Sequence, residues 1–210
     1  MKKFFFIAAA ALALAGCSKS ETPAQQDSCS TENCAYQSIL TRTSVRQWDM
    51  DRTVSADTVD MILRAAMSAP TAMNKQPWAF VVLTERAVLD SVATCLPWSG
   101  LNNAPIAIIT CADMSKVCDG ETVDRGFWIQ DVSAATENLL LAAHALGLGA
   151  VWTGVYPDME RVNGVRQRLS LPENIIPLAA VPFGYPAGDN QPKDKYTPAN
   201  IHYNGWTSVQ

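Results

Sequence analysis

After Ser55, apolar side chains recur at Val59, Ile62, Leu63, Ala66 and Met67. That is the spacing of one helix face, with Ser55 as N-cap and Pro70 as the stop. Mainly apolar runs at 79–84 and 105–111, each with one threonine, predict buried strands, and the segment from Glu85 to about Cys95 between them predicts a short helix. The longest periodic segment runs from Arg125 to Leu146, with Gly147 as its C-terminal stop. Its apolar residues lie almost all round, which predicts a helix covered on most faces. Asp131, Glu137, Asn138 and His144 within it argue against a membrane span. A third strand is expected at 150–153, a helix from Asp158 to Leu169, and a fourth strand from Ile176 to Tyr185. Pro177 and Pro182 interrupt the last and predict a place near a sheet edge. From Pro186 onward the pattern turns polar and aperiodic, which suggests a tail that wraps something. The pattern predicts one α+β domain over 37–210.

The first residues follow a different rule. Lys2 and Lys3 precede an apolar stretch from Phe4 to Ala13, and Leu14-Ala15-Gly16-Cys17 follows. This is a secretory signal, and its ending resembles a bacterial lipobox. It implies cleavage after residue 16 and a lipid on the Cys17 thiol. The apolar run is shorter than the roughly 20 residues of a spanning helix. Residues 17–36 then read as the lipidated cysteine and a polar tether. The expected location is the cell envelope, exported from the cytoplasm and lipid-anchored to a bacterial membrane without crossing it.

Charge and cysteine content narrow the function. The chain has 210 residues, with 16 Lys+Arg against 20 Asp+Glu and a net charge of −4. Losing Lys2 and Lys3 with the signal takes this to −6. No basic stripe is present, which argues against a nucleic-acid partner. Two histidines, His144 and His202, give a catalytic triad or a metal centre little to build on, and no metal site is expected. Export permits disulfides. Cys29/Cys34 and Cys111/Cys118 are the local pairs expected, with a zinc site as the rival that no Cys-x-x-Cys spacing supports.

Three clusters carry candidate chemistry. Arg42-Thr43-Ser44-Val45-Arg46 places two guanidinium groups and two hydroxyls in five residues, a compact phosphate site. Ala69 to Phe80 forms a stiff loop with small residues and the amides of Asn74 and Gln76. Gly147 to Gly154 ends a strand on a glycine that lets a ligand approach the backbone. Taken singly, each also reads as an ordinary turn, connector or buried strand.

In this order the clusters resemble the nitroreductase family of FMN-dependent oxidoreductases. Arg42, Ser44 and Arg46 match its opening motif, and residues 69–78 match its Ala-Pro-Ser-x-x-Asn-x-Gln-Pro-Trp motif with Thr71 for Ser. Leu140 to Gly149, Leu171-Pro172-Glu173, Gly184-Tyr185-Pro186 and the pair Lys193/Lys195 complete the likeness. The resemblance implies a mixed central sheet flanked by helices, a C-terminal extension wrapping a partner, and a homodimer with two FMN sites. It assigns the phosphate to Arg42 and Ser44, with Thr43 among the cofactor-binding residues and Lys193 and Lys195 returning to the phosphate. Arg46 would face the flavin's pyrimidine edge, and Trp152, Thr153 and Gly154 would pass near N5. Pro70, Thr71, Ala72, Asn74 and Gln76 would reach the neighbouring subunit's flavin. Lys195 stands where the family often has Arg, which keeps charge but loses the bidentate fork. The activity implied is ping-pong two-electron transfer from NAD(P)H or another donor to a nitroaromatic, quinone or similar acceptor. An FMN dehydrogenase feeding a membrane or protein acceptor, and a non-catalytic flavin-binding lipoprotein, remain as alternatives.

Overall fold

The computed structural model describes residues 34–117 and 126–206. Cys17, Cys29, Cys118, the signal segment and the start of the tether lie outside these residues. Helices α1 (Cys34–Thr41), α2 (Ala56–Ala66), α3 (Arg86–Ala93), α4 (Met114–Val117), α5 (Phe127–Ala145) and α6 (Met159–Leu169) surround one sheet. Its strands are β1 (Trp78–Leu83), β2 (Ile106–Asp113), β3 (Gly149–Ala150), β4 (Thr153–Gly154) and β5 (Ile175–Gly184). Capping explains two helix starts. The Ser55 hydroxyl accepts from Thr58 N–H, and the Asp158 carboxylate accepts from Glu160 and Arg161 N–H.

The strand order is β1-β2-β5-β3, with β4 also on β5. Every ladder among the described residues is antiparallel. The parallel component of the expected mixed sheet is confined to a single bridge, Ser44 to Ala150.

Two strand expectations need correction. The third strand is not continuous: it breaks at Val151–Trp152 into β3 and β4. The fourth is not an edge, because β5 pairs with β2 on one side and with β3 and β4 on the other. The prolines are tolerated because each sits where pairing lapses. Pro182 lies opposite the break between β3 and β4, where its carbonyl still accepts from Val151 N–H. Pro177 lies beside a bulge, for the register slips between Thr110/Ala179 and Cys111/Pro177. The extra residue there is Leu178, whose carbonyl accepts from both Val155 and Tyr156 N–H.

Helix α5 lies across the sheet and against α2. Its residues Val132, Ala135, Leu139, Leu140 and Ala143 are buried with Ile62, Ile108, Val181 and Phe183. One chain therefore supplies most of the cover that its apolar surface demands. A second core on the opposite face joins Leu89, Val92, Leu101, Ile109, Val162 and Val165. Helix α1, which spans Cys34–Thr41, overlaps the expected tether over 17–36. It buries no side chain, which is why no apolar face announced it.

The cysteine expectations divide. Cys34 is disulfide-bonded. Cys111 is free, which excludes the Cys111/Cys118 pair. It lies in the middle of the buried sheet, where desolvation pushes its thiol up to about 12. Cys95 is also free.

Candidate functional site

The segment carrying Arg42 to Arg46 runs along the outer side of β3. Val45 N–H donates to the Ala150 carbonyl at 3.0 Å. Trp48 fixes the same segment, since its indole N–H donates to the Gly149 carbonyl at 2.8 Å across 101 positions of chain. The contact is close enough that a Cβ at Gly149 would lie 2.6 Å from Val45 Cβ. Glycine is therefore required at position 149 by packing.

This bracing presents Arg42, Thr43, Ser44 and Arg46 to a cleft of about 440 Å³. Lys193 and Lys195 line the same cleft from the C-terminal segment, with Asp189, Asn190 and Gln191. Four of the 16 basic residues of an acidic chain thus meet in one place. Two hydroxyls and a single carboxylate complete the lining, so the cleft suits a multiply charged anion such as a phosphate.

Arg42 is held in place by an ion pair. Its Nε donates to Glu137 Oε1 of α5 at 3.0 Å, which leaves the two terminal nitrogens for a ligand. A smaller cavity of about 320 Å³ shares Thr43 and Asn190 with the cleft and reaches His144. The His144 Nε2 lies 2.9 Å from Thr41 Oγ1. Burial first, and the Arg42 charge second, hold its imidazole below the ordinary histidine value.

The remaining predicted residues do not line the cleft within one chain. Trp152, Thr153 and Gly154 follow two residues after Ala150, on the strand edge away from β2. Val151 and Val155 donate toward β5. Strand alternation then turns the Gly154 N–H to the outer edge. The Gly154 carbonyl accepts from Arg161 Nη1 at 3.1 Å, and Thr153 Oγ1 donates to the Ser99 carbonyl at 3.4 Å. A Cβ at Gly154 would meet nothing within 4 Å. No protein neighbour requires the glycine, and the space where its side chain would stand is open.

The loop from Pro70 to Gln76 stands apart from both. It contains a short 3-10 turn, Ala72–Asn74. Met73, Asn74 and Gln76 all have positive φ, at 51°, 54° and 49°. Gln76 N–H donates to Thr71 Oγ1, and Gln76 Nε2 to Asn74 Oδ1. Asp131 of α5 accepts from Ala72 N–H at 2.8 Å. Sequence reasoning missed Trp48, Asp131, Glu137 and Arg161 as organisers of these segments. Their partners lie 101, 59, 95 and 7 positions away, and only for Arg161 is the partner local enough for spacing to suggest it.

Comparison with known proteins meets this geometry from outside. The model of the "Nitroreductase family" matches residues 39–104 and 91–185. A "Prokaryotic membrane lipoprotein lipid attachment site" matches residues 1–18. A Methanothermobacter thermautotrophicus protein named "Putative NADH dehydrogenase/NAD(P)H nitroreductase" is 44% identical over 171 residues, covering 81% of this chain and 86% of that protein. A Bacteroides thetaiotaomicron crystal structure of the same name is 46% identical, with a TM-score of 0.77 over 84% of this chain and all of that one. A Desulfovibrio desulfuricans nitroreductase solved in complex with FMN is 30% identical, with a TM-score of 0.72 over 84% of this chain and all of that one. The matched segments contain the Arg42–Arg46 segment, the 70–76 loop and Gly154, and on that ground the chain belongs to the nitroreductase family.

Proposed function

We propose that the protein is a lipid-anchored, FMN-dependent NAD(P)H oxidoreductase whose flavin sites are each assembled from two copies of the chain. The observation that carries the reading is the cleft in which Arg42, Thr43, Ser44, Arg46, Lys193 and Lys195 converge. Its donor set fits a ribityl phosphate, and it offers one phosphate site rather than two. The open space where a Gly154 side chain would stand fits the close approach of a flat ring. Bound there, FMN supplies two-electron hydride exchange with NAD(P)H and then with a nitroaromatic, quinone or similar acceptor.

The chain's own residues bind and orient. Arg42, Thr43 and Ser44 hold the phosphate, and Lys193 and Lys195 close over it. Arg46 faces the pyrimidine edge, where a cation stabilises negative charge. The Gly154 N–H, turned outward from β4, would face the ring of bound FMN, with Trp152 and Thr153 beside it. Pro70, Thr71, Ala72, Asn74 and Gln76 meet the flavin of the second copy. The homodimer is further supported by α1, where Tyr36, Ile39 and Leu40 are each more than half exposed. It is supported too by a C-terminal segment that holds Tyr196, Tyr203 and Trp206 out in solvent. These are surfaces that a second copy covers.

The lipid anchor rests on Leu14-Ala15-Gly16-Cys17 and the matching attachment site. It places the folded unit at a membrane surface on a tether from Cys17. Export also favours a second reading of the donor, in which a membrane or protein partner supplies the electrons. Purified full-length protein decides between them. Heat should release FMN, and NADH or NADPH should bleach the bound flavin without oxygen. Release of FAD, or of no flavin, refutes the cofactor assignment, and bleaching by a quinol alone assigns the donor to the membrane. Cys17→Ser should abolish incorporation of labelled fatty acid; continued labelling refutes the anchor.

A further inference from the structure

The 70–76 loop is held in a conformation that its own residues disfavour. Met73, Asn74 and Gln76 carry side chains at positive φ, where a Cβ crowds the backbone. Met73 and Asn74 are also exposed, so the cores of the chain do not hold them there. Such backbone persists only where its surroundings over-determine it. The loop's own bonds, Asn74 N–H to the Thr71 carbonyl and Lys75 N–H to the Ala72 carbonyl, close the 3-10 turn. They do not fix it to the rest of the molecule.

Asp131 supplies such a fixation from the core, alongside Lys116, whose Nζ donates to the Gln76 carbonyl at 3.4 Å. The first N–H groups of any helical turn lack partners within it. Ala72 opens this turn, and the side chain of its N-cap residue Thr71 makes no capping bond to the turn. The Asp131 carboxylate takes the Ala72 N–H at 2.8 Å from 59 positions away. Asp131 is 7% exposed on a helix whose neighbouring residues are core, so its position is set by α5 and not by the loop. A buried carboxylate accepting a backbone N–H is a strong, directional bond. It acts as a remote cap.

We propose that Asp131 is a positioning residue, whose carboxylate holds the 70–76 loop in the form that meets the isoalloxazine ring of the second copy. The proposal rests on the shared flavin site described above. It assigns Asp131 to ring recognition and not to phosphate recognition, because the loop lies outside the four-cation cleft.

Riboflavin, which lacks the phosphate, separates the two. Apoprotein is titrated with riboflavin and with FMN, and amide exchange at Ala72 is followed in the same samples. Asp131→Ala should weaken both flavins by the same factor, about tenfold for a lost charged hydrogen bond, and speed exchange at Ala72. Asp131→Asn keeps an acceptor oxygen in place; it should retain both affinities to within about threefold and keep Ala72 protected. Loss of FMN affinity alone, with riboflavin unaffected, overturns the proposal. So does an Asp131→Asn variant as weak as Asp131→Ala, or an Ala72 amide that exchanges freely in the wild-type protein. If Asp131→Ala does not fold, wild-type exchange and the Asp131→Asn titrations decide. If the wild-type protein binds neither flavin, the flavin reading and this role fail together. Binding of both with no response to Asp131→Ala sinks only the positioning role.

Discussion

Arg42→Ala tests the cleft most directly. The side chain is 22% exposed, and its Nε is committed to Glu137 at 3.0 Å, so the terminal nitrogens are pre-aimed at the cleft. Removing a charged hydrogen bond costs about 1.5–3 kcal/mol, which is about 10- to 150-fold in dissociation constant. Fold stability should change far less. Glu137 is 45% exposed and rehydrates when its partner goes, and pairs of this kind are worth about 0.2–1 kcal/mol. That corresponds to a melting shift of at most about 4 °C for a domain of this size. The assay is quenching of flavin fluorescence on titration into apoprotein, with FMN and riboflavin side by side. FMN affinity should fall by the stated factor while riboflavin affinity holds. Equal losses for the two ligands would refute the phosphate role, as would an FMN affinity within about twofold of wild type, which is below the smallest charged-bond loss.

Other expectations follow from neighbouring features. Arg46→Ala should lower the midpoint potential of bound FMN, since a guanidinium at the pyrimidine edge stabilises negative charge there; an unchanged potential by dye equilibration removes that assignment. Gly149→Ala should destabilise the fold by about 1–3 kcal/mol, because the new methyl meets Val45 Cβ at 2.6 Å; denaturant unfolding that matches wild type would contradict it. The folded state depresses the His144 pKa, so the unfolded chain binds more protons just below the free value of about 6.5. Stability is therefore full above that value and falls as pH drops through it toward the lower folded pKa. His144→Gln should flatten this part of the melting-temperature profile, and an unaltered slope counts against it.

Helix α2 was legible because its periodicity agrees with the Ser55 cap, α5 because its apolar pattern is long and ends at Gly147, and β1 and β2 because their runs are mainly apolar. That Arg42, Thr43, Ser44 and Arg46 share one cleft was legible too, since they fall within five residues. What sequence could not supply was long-range. Proline in β5 signals an edge only if pairing is complete, and here the break between β3 and β4 and the bulge at Leu178 make room for it. The roles of Trp48, Glu137 and Asp131 are contacts between distant segments. In the pattern of α5 the two acids read only as obstacles to a membrane span. Cys111 looked like half of a local disulfide until the sheet enclosed it.

Helix α5 carries both Glu137, which steadies Arg42, and Asp131, which steadies the 70–76 loop. If Arg42 serves its own chain's flavin and the loop serves the neighbour's, one helix works for two different sites. Defects then sort by site and not by polypeptide. Co-expressing an Arg42→Ala chain with an Asp131→Ala chain makes mixed dimers in which both lesions fall in one site. The other site receives an intact Arg42 from one chain and an intact loop from the other. Two parents that each bind flavin weakly at both sites would yield mixed pairs with one centre of wild-type affinity, a pattern of intragenic complementation that a self-contained site cannot produce.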